Sequence, residues 1–150
     1  MPVSAERTVL VVDDDPSMLL LCRANLRESG LRVREARSAG EALASIRRNR
    51  PDLILLDIMM PGVSGWQVAA QLLGERATDE IPIVFLTALS GTKQRLRAFE
   101  LGAVGYVTKP FDPAALGVTL IAVLDQIDRG ERSALIAENL DALRAEMHAS

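Results

Sequence analysis

The sequence predicts an α/β fold, a three-layer parallel sheet of five βα units followed by a C-terminal helical extension. Three observations carry this. Short apolar runs of strand length alternate with helix-length segments from Thr8 to Arg129, the pattern of a sheet covered by helices on both faces. Two runs, Val9-Leu10-Val11-Val12 and Leu53-Ile54-Leu55-Leu56, are apolar at every position, as strands buried on both faces must be. Both end on carboxylate, the first on Asp13-Asp14-Asp15 and the second on Asp57.

Taken in order, strands are expected at Thr8 to Val12, Arg32 to Ala36, Leu53 to Leu56, Ile83 to Thr87 and Val104 to Val107. The intervening helices carry start and stop signals. Asp15 followed by Pro16 is an N-cap with proline at the first helical position, and Gly30 ends that helix. Ser38-Ala39-Gly40-Glu41 and Ser64-Gly65-Trp66-Gln67 match the capping box. Ser90 is placed to cap a fourth helix that Gly102 terminates, and Asp112-Pro113 repeats the cap-plus-proline device for a fifth. Parallel crossovers are right-handed almost without exception, so five such units wrap into three layers. The expected division is a domain over residues 7–129 and a helical extension over residues 130–150.

Composition narrows the function classes. At 150 residues the chain fits one domain with a real core. Aromatics are 3% of the chain, so the core is aliphatic and no stacking platform for single-stranded nucleic acid exists. The net charge of −3 lacks a basic nucleic-acid footprint. A lone Cys22 cannot close an internal disulfide and reads as inert filler on the apolar side of the first helix. No run approaches the ~18 apolar residues of a membrane span, and the N-terminus lacks a signal-peptide core. The expectation is a cytoplasmic protein that engages neither nucleic acid nor membrane.

Chemistry is expected at one sheet edge. Asp13, Asp14, Asp57, Thr87 and Lys109 fall at or just beyond four predicted strand ends, where open α/β sheets bind ligands. Carboxylates crowded together raise one another's pKa unless a cation sits among them. Hard oxygen ligands of this kind suit Mg²⁺ better than zinc or copper.

Four segments then carry a family resemblance. Val11-Val12-Asp13-Asp14-Asp15-Pro16, Leu56-Asp57-Ile58-Met59-Met60-Pro61-Gly62, Phe85-Leu86-Thr87-Ala88 and Tyr106-Val107-Thr108-Lys109-Pro110-Phe111 resemble, in order, the signatures of the response-regulator receiver domain of two-component signalling. The resemblance implies a doubly wound, flavodoxin-like strand order 2-1-3-4-5. It implies that Asp57 accepts a phosphoryl group from a sensor histidine kinase or a histidine phosphotransfer protein. It further implies that Asp13, Asp14, Asp57 and the backbone carbonyl of Met59 hold Mg²⁺, with Asp13 acting partly through water. Lys109, preceding a cis Pro110, the Thr87 hydroxyl and the Ala88 amide would meet phosphoryl oxygens, and Thr87 and Tyr106 would form the switch. The expected role is a phosphoacceptor signalling domain, not an enzyme with an external substrate, that changes its surface for a downstream protein partner. Two positions that tune phosphoryl lifetime in the family are apolar here, Met59 and Leu89, which implies slow self-dephosphorylation.

Competing readings are weaker. A haloacid-dehalogenase-type phosphatase needs a second carboxylate two residues after the nucleophile, where this chain has Met59. A dinucleotide module needs a glycine-rich turn after the first strand, where this chain has three acids. Residues 129–150 hold three arginines against four acidic residues, so no DNA-binding output domain is expected in this chain. Their apolar stripe, Ile136, Leu140, Leu143 and Met147, is out of register with the preceding stripe of Leu116, Leu120, Val123 and Ile127, which predicts a break at Gly130. A lone helix of this length is marginal in water, so the stripe must be buried. It can fold back across Gly130 or pair with another chain, and a homodimer through the C-terminal helices is the favoured expectation.

Overall fold

The computed structural model describes residues 6–149. Five parallel strands form one sheet: β1 (Thr8–Val12), β2 (Arg32–Ala36), β3 (Leu53–Leu56), β4 (Ile83–Thr87) and β5 (Gly105–Thr108), in the spatial order 2-1-3-4-5. The helices are α1 (Pro16–Glu28), α2 (Ala39–Arg48), α3 (Gly65–Leu73), α4 (Thr92–Leu101), α5 (Pro113–Asp128) and α6 (Arg132–Ala149). The fold class and strand order are those expected. Four strands keep their expected bounds, and β5 begins one residue later than expected.

The sheet explains its own sequence. Alternate residues of β1 point to opposite faces: Leu10 and Val12 join the core under α2, α3 and α4, whereas Val9 and Val11 join the core under α1 and α5. β3 divides likewise, with Ile54 and Leu56 on the first side and Leu53 and Leu55 on the second. Being buried on both faces, central strands must be continuously apolar. The edge strand β2, Arg-Val-Arg-Glu-Ala, is the polar one. Cys22 is fully buried in the second core, and burial pushes its thiol up to about 12, so it is filler as expected.

Most cap signals are realised. Asp15 accepts from the Ser17 amide, Asp112 from the Ala114 amide, and Ser64 and Gln67 complete a reciprocal capping box. Ser38 caps α2 by accepting from Glu41, but the Glu41 carboxylate accepts from the Arg37 amide, so this box is half formed. Ser90 does not cap α4. That place belongs to Gly91, without any side-chain cap bond.

The break at Gly130 is present, with φ of 76° between α5 and α6. The expectation that the α6 stripe is left free for a second chain is not met. α6 folds back across its own domain, packing mainly on α4 and also on α5. Leu143 is buried, and Leu135 and Ile136 join the α1/α5 core. The turn after α5 is short enough to return the stripe onto α4, where apolar surface lies within reach. Arg132 anchors the start of α6 by donating to the Glu80 and Asp79 carbonyls, at 2.7 and 3.4 Å. Among the described residues, no helix is long and apolar enough to cross a membrane.

Candidate functional site

Backbone pairing across the sheet aligns the site. β1 and β3 run in register with Val12 opposite Leu56, and β4 and β5 with Thr87 opposite Thr108. Asp13 and Asp57 are therefore the first residues beyond two adjacent strands, and Lys109 the first beyond a third. The next backbone bonds continue the ladder: Asp57 N donates to the Val12 carbonyl at 2.9 Å and Lys109 N to the Thr87 carbonyl at 2.8 Å. Neighbouring parallel strands lie about 4.8 Å apart, so Asp13 and Asp57 emerge side by side, and the long Lys109 side chain reaches both from beyond β4.

They do meet. Asp13, Asp14 and Asp57 each offer a carboxylate oxygen, all within 4.8 Å of one another. Asp13 and Asp57 are buried and Asp14 is half-buried. Lys109 Nζ stands between two of them, 2.7 Å from Asp13 Oδ2 and 3.2 Å from Asp57 Oδ2. The other oxygen of each accepts a backbone amide, Asp15 N on Asp13 Oδ1 at 3.0 Å and Met59 N on Asp57 Oδ1 at 3.1 Å. Both carboxylate planes are thus fixed by one amide and one ammonium.

The electrostatics are mixed. Burial raises the Asp13 carboxyl above its ordinary range, and the Lys109 bond only partly offsets this. For Lys109, burial works against the charged form, but its bond to Asp13 and the charges of Asp13 and Asp57 outweigh it, so its pKa is raised. Crowded carboxylates call for a cation among them. Here the lysine ammonium supplies one, because the strand ends bring it between them.

The remaining expected residues surround this centre. Thr87 is fully buried at the end of β4, and its Oγ1 accepts the Leu89 amide at 3.4 Å. Ala88 and Met59 are exposed on the rim. The Lys109–Pro110 bond is cis. Tyr106 lies half-buried beside Phe85, with ring centroids 6.1 Å apart, and its hydroxyl donates to the Leu89 carbonyl at 2.5 Å. Burial pushes this phenol up to about 12, so it remains a donor. Trp66 lies tilted against Phe85, ring centroids 5.0 Å apart, under the Arg97 guanidinium, and belongs to the α3 side of the core. His148 is exposed near the end of α6.

Two backbone roles go beyond the expectations, those of Gly65 and of Leu89, the latter expected only as an apolar position that tunes phosphoryl lifetime. Gly65 N donates to the Ile58 carbonyl, and a Cβ on Gly65 would fall 2.2 Å from the Asp57 carbonyl oxygen. Helix α3 can approach the loop after Asp57 only because this residue has no side chain. Leu89 is the second, since its backbone joins Thr87 to Tyr106 through both of its polar groups. Glycine directly after a capping serine was a visible cue for the first. Nothing local signals the second.

Comparison with known proteins agrees with this geometry. The model of the response regulator receiver domain matches residues 9–121. The phosphate regulon transcriptional regulatory protein PhoB of Pseudomonas aeruginosa is 38% identical over 130 residues, covering 87% of this chain and 57% of that protein. Protein PilH of the same organism is 35% identical over 116 residues, covering 77% of this chain and 96% of that one. The chemotaxis protein CheY4 of Vibrio cholerae superposes with a TM-score of 0.74 at 31% identity, covering 79% of this chain and 99% of that one. The chain spans about half the length of several curated relatives it matches, PhoB among them. With four motifs at four strand ends and a family match over most of its length, the chain belongs to the response regulator receiver domain family.

Proposed function

We propose that this chain accepts a phosphoryl group on Asp57 in a Mg²⁺-assisted reaction and signals by the resulting change of surface. The observation that carries the proposal is Lys109 Nζ reaching Asp13 and Asp57 together within a buried three-carboxylate cluster. A carboxylate is a competent nucleophile towards phosphorus. An Asp57 oxygen forms the new O–P bond as the donor's P–N bond breaks. The electron pair of that bond leaves with the donor imidazole, which takes up a proton. The donor class is a phosphohistidine on a sensor kinase or phosphotransfer protein, and the readout is a protein partner.

Several groups meet the charge on the three phosphoryl oxygens. The ammonium of Lys109 is already within bonding distance of Asp57 and acts as a point charge. The Thr87 hydroxyl, whose oxygen accepts from Leu89 N, can turn its O–H to a phosphoryl oxygen. The Ala88 amide is a further donor on this rim. Asp13, Asp14, Asp57 and the Met59 carbonyl are the oxygen donors that would hold Mg²⁺, and their hardness and spacing fit that ion. When bound, Mg²⁺ supplies charge neutralisation at the phosphoryl oxygens.

The test uses acetyl phosphate with Mg²⁺ and intact mass as readout. The wild type should gain one phosphoryl group, Asp57→Ala none, and EDTA should block the gain. Asp57→Ala labelled at the wild-type rate would falsify the assignment.

A further inference from the structure

The groove between α4, β5 and α5 has an occupant from the same chain. A cavity of about 400 Å³ remains between that face and the helix, lined by Phe99, Tyr106 and Val123 of the domain and by Leu143 and Glu146 of α6. Leu143 is the most deeply buried apolar residue of α6. Three residues on, Glu146 pairs with Arg95 of α4 at 3.3 Å. Arg132 holds the other end of α6 to the loop before β4. The helix is therefore tied at its start, pressed in at its middle and pinned by charge near its end.

Beneath it a chain of residues leads towards the acidic site. Thr87 ends the strand beside the one that delivers Asp57. Its Oγ1 accepts from Leu89 N, and the Leu89 carbonyl accepts from the Tyr106 hydroxyl. The Tyr106 ring then lines the same groove as Leu143 and Glu146. The two middle links are hydrogen bonds, the first is the adjacency of two strand ends, and the last is a cavity wall shared with α6.

We propose that α6 is a clasp on the α4–β5–α5 face whose hold is coupled to the state of Asp57 through Thr87, Leu89 and Tyr106. The inference rests on the phosphoacceptor reading above. A phosphoryl group on Asp57 presents strong acceptors beside the Thr87 hydroxyl. As Thr87 turns to donate, its weak 3.4 Å bond with the Leu89 amide is given up. Leu89 and Tyr106 then shift as a unit, the floor of the groove changes shape, and the seat of Leu143 is lost. Phosphorylation alters the surface by loosening a helix of the chain itself. Coupling is reciprocal, so a weakened clasp also changes the affinity of the site for a phosphoryl mimic.

The experiment uses the full chain with acetyl phosphate and Mg²⁺. Intact mass reports phosphorylation, and amide hydrogen exchange over residues 135–147 reports the clasp in the same sample. Phosphorylated wild type should exchange there about tenfold faster than unphosphorylated protein, within the usual range of coupling between sites. Glu146→Arg sets two guanidinium groups against each other and should speed exchange about threefold without phosphate, with Arg95→Glu in the same chain restoring it. Phosphorylated Tyr106→Phe should show a smaller acceleration than phosphorylated wild type. A full gain in mass with α6 exchange unchanged overturns the clasp and leaves the phosphoacceptor reading standing. No gain in mass overturns both.

Discussion

Lys109 does two jobs at the acidic site. Its ammonium is the cation that lets Asp13 and Asp57 lie together, and it is also the charge proposed to meet the phosphoryl group. Lys109→Met leaves two buried carboxylates facing each other and should cost about 1–3 kcal/mol, the scale of an unsatisfied buried polar group. A chain of this size would lose several degrees of melting temperature in EDTA. Millimolar Mg²⁺ should recover more of that loss in the variant than it adds to the wild type. The sign with pH follows from the raised Lys109 pKa: its pairing contributes stability fully below pH 10.5 and loses it as pH rises through the folded value. The alkaline fall in stability should flatten in Lys109→Met, as thermal melts across that range would reveal. Gly65 offers an independent check. A methyl group there would sit 2.2 Å from the Asp57 carbonyl oxygen, so Gly65→Ala should destabilise by about 1–3 kcal/mol and slow phosphorylation by displacing the acceptor loop.

At the scale of elements, the helices differ in what holds them. α1, α3 and α5 begin at side-chain caps that their own sequence supplies. α4 begins at Gly91 without one and rests chiefly on α6. Ser90 had the right chemistry for a cap, but the backbone before it is committed elsewhere: Leu89 is held on both sides by Thr87 and Tyr106. Tertiary contact therefore overrides the local signal where the site connects to the clasp. Removing a local cap should be felt only locally. Ser64→Ala, which breaks the capping box of α3, should cost about 1 kcal/mol in denaturant unfolding with α6 exchange unaffected.

For the molecule as a whole, stability should report on the site. Mg²⁺ bound by the native cluster and not by the unfolded chain adds stability by linkage, about 2.7 kcal/mol at a hundredfold excess over the dissociation constant. Asp14 is the carboxylate of the three that no lysine contact offsets among the described residues. Asp14→Asn should therefore weaken the Mg²⁺-dependent rise in melting temperature while leaving the EDTA melting point equal to or above that of the wild type. A melting point indifferent to both Mg²⁺ and this substitution would count against a shared metal site.

What the sequence determined by itself was everything set by short-range pattern. Continuous apolar runs marked β1 and β3 as buried strands, Asp15, Ser64 and Asp112 marked helix starts, and Gly130 marked the break. Strand ends carry their following residues to the same edge, so the gathering of Asp13, Asp57 and Lys109 at one end of the sheet was legible as well. Tertiary structure decided what depends on which surfaces lie within reach. It brought the ammonium of Lys109 between Asp13 and Asp57, shifted the α4 start from Ser90 to Gly91, and pressed Gly65 against the Asp57 carbonyl. Above all, it returned α6 to its own domain. An amphipathic stripe states that it must be buried but not against what, and only the folded α4 face, with Arg95 placed to meet Glu146, supplies the answer.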